Sequence, residues 1–89
     1  MELPDETIED LTKRLRRAEG QVRAVERMLQ DGKDCRAVLT QLTAATKALE
    51  QAGFVLLAAG LTWCLEDPER SAAEGDSLAE VQKMFTKLA

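Results

Sequence analysis

Apolar residues recur along this chain at alternating intervals of three and four. Ile8, Leu11, Leu15, Ala18, Val22, Val25 and Leu29 form one series, and Val38, Leu42, Ala45, Leu49, Ala52, Leu56, Ala59 and Trp63 form a second. A helix gathers residues so spaced onto one stripe, and a seam kept over three or more heptads is what helices packed along their length require. The first series predicts a helix from about Asp5 to Leu29, with Pro4 at a position an early turn tolerates and Gly32 as a stop signal. The second predicts a helix capped by Asp34 and reaching about Leu65, before Glu66-Asp67-Pro68 ends it. Asp67 to Asp76 reads as a polar loop. Ser77 with Glu80 makes a capping box for a third helix over 77–88, carrying Leu78, Val81, Phe85 and Leu88.

These elements predict a single all-α domain over residues 1–89, a three-helix protomer with helices at about 5–29, 34–65 and 77–88. At 1.5 Å per residue the second helix is roughly 45 Å long, which suits a bundle rather than a compact monomer. Three helices of this size bury too little apolar surface to be comfortable alone, so an obligate dimer or larger assembly is expected. The longest apolar stretch, Ala52 to Leu61, is punctuated by Gly53 and Gly60 and falls short of the roughly 20 residues that span a bilayer. Residues 1–10 are acidic and carry no secretory pattern. The expectation is a cytoplasmic protein without a membrane partner, whose two cysteines are reactive or metal-binding rather than a structural disulfide.

The net charge of −4 disfavours nucleic acid, but its distribution changes that reading. Residues 11–36 carry eight bases against four acids, whereas residues 1–10 carry five acids and no base. On a helical wheel Lys13, Arg16, Arg17, Arg23 and Arg27 lie opposite the first seam, with Arg14 at its edge and Gly20 in the middle of the basic face. A solvated amphipathic face explains the pattern in outline. Five arginines to one lysine, and a glycine that helix stability does not ask for, fit a phosphate-binding surface better. No helix-turn-helix is present in the pattern.

Cys35 and Cys64 are 29 residues apart, within about 20° of whole helical turns. They share one face of the second helix but stand roughly 43 Å apart along it. Antiparallel pairing of this helix with its copy, about a two-fold axis between Leu49 and Glu50, sets Cys35 of one chain level with Cys64 of the other. The bland alternative is two small core residues. If reactive, the thiols differ. Cys35 lies in the first turn between Lys33 and Arg36, which favours thiolate and makes it the expected nucleophile. Cys64 lies near Glu66 and Asp67 and suits a resolving role. With no histidine in the chain and no catalytic constellation, neither an enzyme nor a resident cofactor is expected.

The run Arg14-Leu15-Arg16-Arg17-Ala18-Glu19-Gly20-Gln21-Val22 resembles the R-L-[KR]-x-x-x-G-[QH]-[LV] signature of the CsoR/RcnR/FrmR repressors. Arg27-Met28-Leu29 continues it, and Cys35 to Ala44 resembles the family's C-x-x-V-[LM]-x-Q-[IL]-x-A. The resemblance implies an antiparallel four-helix-bundle dimer that assembles into a tetramer as a dimer of dimers. It also implies operator DNA as partner and derepression by an effector bound between subunits. Carried over, Lys13, Arg14, Arg16, Arg17, Gly20 and Arg23 contact the operator. Gln51 stands where the family often has an arginine, with Lys47 one turn earlier as its substitute. Copper-sensing members place a histidine one turn before the second cysteine, where this chain has Gly60. Nickel and cobalt sensing need several histidines, and formaldehyde sensing needs a proline next to the initiator Met, whereas Pro4 is internal. The paired cysteines then resemble the persulfide-sensing, CstR-like branch. There a Cys35–Cys64 crosslink between subunits would sense reactive sulfur species and derepress sulfide-detoxification genes. Two-thiolate Cu(I) ligation by the same Cys35 and Cys64 is the alternative, and a helical interaction bundle without DNA is a further one.

Overall fold

The structure is a computed structural model that describes residues 2–88. Four helices follow one another: α1 (Asp5–Gln30), α2 (Cys35–Glu66), α3 (Pro68–Ala73) and α4 (Leu78–Leu88). The Pro4 carbonyl opens α1, accepting from the amides of Thr7 and Ile8 at 3.0 and 3.1 Å. Gly32, at φ 67°, closes it. There the Lys33 amide bonds the Met28 carbonyl at 2.9 Å and the Gly32 amide bonds that of Leu29 at 3.2 Å, the paired bonds of a Schellman stop. The chain then turns back, and α2 runs antiparallel to α1 as the central element. Asp34 precedes α2 as expected, but its side chain makes no capping bond; only its carbonyl engages the helix, at Val38.

The segment expected to be a loop contains α3. Asp67 caps it by accepting from the Arg70 amide at 3.0 Å, and Pro68 occupies its first turn, where a missing N–H costs nothing. The same Asp-Pro pair that ends α2 therefore starts the next helix, and the described residues form four helices rather than the expected three. A second Schellman stop at Gly75 (φ 78°) turns the chain into α4. Ser77 caps α4 with a long 3.4 Å bond from the Glu80 amide. The Glu80 carboxylate pairs with Lys83 at 3.3 Å instead of reaching back, so half of the capping box forms. α4 lies antiparallel along the C-terminal part of α2, with Phe54 and Phe85 rings 6.0 Å apart and Leu88 against Gly53.

The two apolar seams divide between inside and outside. Leu11, Ala18 and Val25 turn toward α2, whereas Ile8, Leu15, Val22 and Leu29 remain largely exposed. On α2, Ala45 and Ala52 are buried while Leu42, Leu49 and Leu56 are exposed. The internal stripe of α1 is completed by the half-buried Arg14, Gln21 and Met28, so the packed face is rotated from the predicted seam. The protomer is correspondingly open. Its radius of gyration is 16.9 Å, against about 12 Å for a compact domain of this length. Its accessible surface is 6680 Å², against roughly 5200 Å² for a compact monomer of this mass. α2 is also long and apolar enough, by length and composition, to cross a membrane, contrary to the expectation from Gly53 and Gly60. Both glycines are inside a continuous helix, where they admit α4 rather than interrupt the element.

Candidate functional site

The two thiols occupy opposite ends of α2. Cys35 is its first residue and is exposed; Cys64 lies two residues before its end and is only 4% exposed. On the α2 wheel both lie on the face that α4 covers, together with Thr46 and Gly53. The N-terminal half of that face, with Cys35, Leu39, Leu42 and Thr46, is bare. The C-terminal half lies beneath α3 and α4. One protomer cannot bring the two sulfurs together, because roughly 43 Å of rigid helix separates them.

Cys64 is held by residues that the sequence pattern does not single out. Its Sγ donates to the Asp76 carbonyl at 3.2 Å and accepts from Ser71 Oγ at 3.2 Å. The Ser71 hydroxyl also reaches the Asp76 carbonyl. Ser71 is 1% exposed, and its backbone carbonyl accepts from the Asp76 amide at 2.9 Å, so one turn of α3 builds the whole nest. Glu66 and Asp67, the acids expected near Cys64, are exposed and are not among its hydrogen-bond partners. Next to the nest, Arg70 stacks 4.4 Å above the Trp63 ring and donates to the Trp63 carbonyl at 3.2 Å. An Asp-Pro helix start three residues after a cysteine, with a serine seven residues after it, is the signal that points to this arrangement.

Gly60, one turn before Cys64, is buried at a cleft with Leu56, Leu57, Val81, Met84 and Phe85. Among the described residues lining that cleft, Met84 alone carries a donor atom on its side chain. Among the described residues of one protomer no three His, Cys, Asp or Glu side chains cluster as a metal site. The donors present therefore fit a soft monovalent ion held by two thiolates from two protomers. They do not fit a site that needs imidazole.

The basic residues are on α1, as expected, but not equally free. Arg16, Arg17, Arg27 and Gly20 are exposed, and Lys47 is exposed on α2. Lys13 pairs loosely with Glu9, and Arg23 with Glu19, both at 3.7 Å on open surface where such pairs exchange readily for another anion. Arg14 differs. It is half-buried toward α2 and bonded to Asp10 at 3.1 Å. Among the described residues none would stand within 4 Å of a Cβ at Gly20, so their packing does not require a glycine there. Gln51 is exposed, one turn from Lys47.

Comparison with known proteins fits this architecture. Residues 7–87 match the family described as metal-sensitive transcriptional repressors. The chain is 45% identical over 85 residues to the copper-sensing transcriptional repressor RicR of Mycobacterium tuberculosis, covering 90% of this chain and 85% of that one. It is 29% identical over 79 residues to the copper-sensing transcriptional repressor CsoR of Bacillus subtilis, covering 89% and 78%. Its fold is similar to the crystal structure of the copper-sensing repressor CsoR with Cu(I) from Geobacillus thermodenitrificans, with a TM-score of 0.82, 34% identity and 99% and 92% coverage. It is also similar to the nickel-responsive transcriptional regulator InrS, with a TM-score of 0.73, 32% identity and 91% coverage of both chains. These matches do not single out the persulfide-sensing branch; the named relatives sense metals. With the fold, both cysteines and the basic helix in place, the chain belongs to the family of metal-sensitive transcriptional repressors.

Proposed function

We propose that this protein is a cytoplasmic, Cu(I)-responsive repressor whose effector is held by Cys35 of one protomer and Cys64 of another. The observation that carries this reading is the placement of the only two soft thiol donors at opposite ends of one face of α2. Only an antiparallel second copy can bring them level. Two thiolates suit Cu(I), which accepts low coordination numbers and prefers sulfur, and the copper-sensing relatives support the same choice. The exposed apolar face supplies the contact between copies, first as a dimer and then as a tetramer. The exposed arginines of α1, with Lys13 and Lys47, supply the phosphate contacts to operator DNA.

A second reading, reactive-sulfur sensing, is favoured by one observation: Gly60 leaves the site without imidazole, and the chain has no histidine. In that chemistry a low-molecular-weight persulfide transfers its outer sulfur to Cys35, releasing a thiol. Cys64 of the facing chain then displaces hydrosulfide, leaving a disulfide between chains. The persulfide sulfur is the oxidant, so no other is needed.

The deciding experiment titrates the reduced, operator-bound protein anaerobically with Cu(I) and, in parallel, with glutathione persulfide. DNA release at one Cu(I) per site, lost in both Cys35→Ala and Cys64→Ala, is expected. Release only by persulfide, with a covalent dimer by intact mass, would transfer the assignment to the second reading. In either case operator affinity should fall steeply with salt, with a slope near −0.9 for each phosphate neutralised. A flat salt dependence would remove DNA from the account altogether.

A further inference from the structure

Cys64 is enclosed by its own chain rather than presented to a partner. Three contacts fasten α3 over it. Ser71 Oγ lies 3.2 Å from the sulfur, Arg70 lies over Trp63, and the Cys64 thiol donates to the Asp76 carbonyl. The last two elements are coupled through this point, since Asp76 leads directly into α4 and the Ser77 carbonyl accepts its Val81 amide. The contacts that fasten α3 are local, within 12 residues of Cys64, and Arg70, which makes two of them, is an exposed side chain. This turn can therefore open without disturbing the α1–α2 pair.

We infer that α3 is a strap over the sensor thiol, and that filling the Cys64 sulfur and seating α3 are mutually exclusive. Any atom bonded to Sγ replaces the proton that the Asp76 carbonyl accepts. It also needs space on a sulfur that is buried, with both Ser71 Oγ and the Asp76 carbonyl oxygen 3.2 Å away. A metal ion displaces that proton to solvent; the thiol contributes the electron pair, and no oxidant is involved. Capture therefore lifts the strap, and the release passes through Gly75 and Asp76 into α4 and its seat at Gly53 and Gly60. Ser71 and Arg70 are positioning residues in this device. It rests on the reading of Cys64 as the effector thiol, and it explains why a buried, hydrogen-bonded cysteine sits where an effector must bind.

The test uses the full chain with Cys35→Ala, so that Cys64 is the only thiol, and needs no copper. N-ethylmaleimide adds the thiol across its double bond, the proton ending on the ring carbon. Amide hydrogen exchange and the emission of Trp63, the only tryptophan, are then followed. After labelling, the amides of Ser71, Gly75 and Asp76 should exchange at least tenfold faster and Trp63 emission should shift, while α1 exchange stays unchanged. Arg70→Gln, a change at an exposed position, should label about two- to fivefold faster, as expected for loss of a surface cation–π contact. Fully labelled protein with unchanged exchange in α3 and unchanged emission would overturn the strap. So would a labelling rate that Arg70→Gln and Ser71→Ala both leave untouched. Neither result depends on which effector the intact protein senses, so the failure of this inference and the failure of the Cu(I) assignment are separable.

Discussion

Gly20 is the position where a single side chain divides folding from function. It is exposed in the middle of α1, at negative φ, with open space where a Cβ would stand. Helix propensity therefore predicts that Gly20→Ala stabilises the protein by about 1 kcal/mol in chemical denaturation. The same methyl group fills the gap in the basic face between Arg16, Arg17 and Arg23. Operator affinity should drop by tenfold or more, measured by fluorescence anisotropy at fixed salt. A variant that is more stable and binds the operator as well as the parent would show that the gap is not used. Arg14 makes the opposite point. Its position in the motif was plain, but its half-burial and its bond to Asp10 were not, since a wheel gives the angle of a side chain and not what covers it.

The decisive fit between elements is that of α4 on α2. A Cβ at Gly53 would come 2.7 Å from Leu88 Cδ2 and 3.7 Å from its Cγ. The atoms in the way are the end of a flexible side chain, so α4 should shift rather than detach. Gly53→Ala is expected to destabilise the protein by about 1 kcal/mol, typical of a mild overpacking. In a Leu88→Ala background the clash is gone, and the same substitution should become neutral or stabilising through helix propensity. A double-mutant cycle by urea denaturation measures this change of sign; equal effects in both backgrounds would mean that Leu88 is not what Gly53 accommodates. The existence of α4 was legible from Leu78, Val81, Phe85 and Leu88. Its seat was not, because the two glycines that receive it looked like interruptions of an apolar run.

The unsatisfied quantity of the whole molecule is its apolar surface. Leu15, Val22 and Leu49 line one groove between α1 and α2, and Leu49 also borders the groove beside Phe54 and Phe85. The accessible surface exceeds that of a compact monomer by about 1500 Å². A standard interface covers about 800 Å² per partner, so the excess is enough for more than one contact. Leu49→Glu leaves the protomer's own packing intact, because Leu49 is half exposed, but it puts a charge on the apolar face proposed to meet a second copy. Burying that charge unpaired costs several kcal/mol. Sedimentation velocity should show smaller particles at micromolar concentration, and an unchanged sedimentation coefficient would place the interface elsewhere.

The sequence by itself determined the three longer helices, their approximate ends, the basic face and the placement of both cysteines on one face of the longest helix. Each follows from local periodicity, capping chemistry and charge, which a linear pattern carries in full. Only the tertiary structure decided how the seams are divided, with Ala18, Val25, Ala45 and Ala52 turned inward and Leu15, Val22, Leu42 and Leu49 left exposed. Only it placed Ser71, Arg70 and Asp76 around Cys64. The physical reason is the same in both cases. A heptad pattern says which residues avoid water but not which of two neighbours removes them from it. A serine and a backbone carbonyl carry no motif of their own until a short helix folds them over a thiol seven and twelve residues earlier.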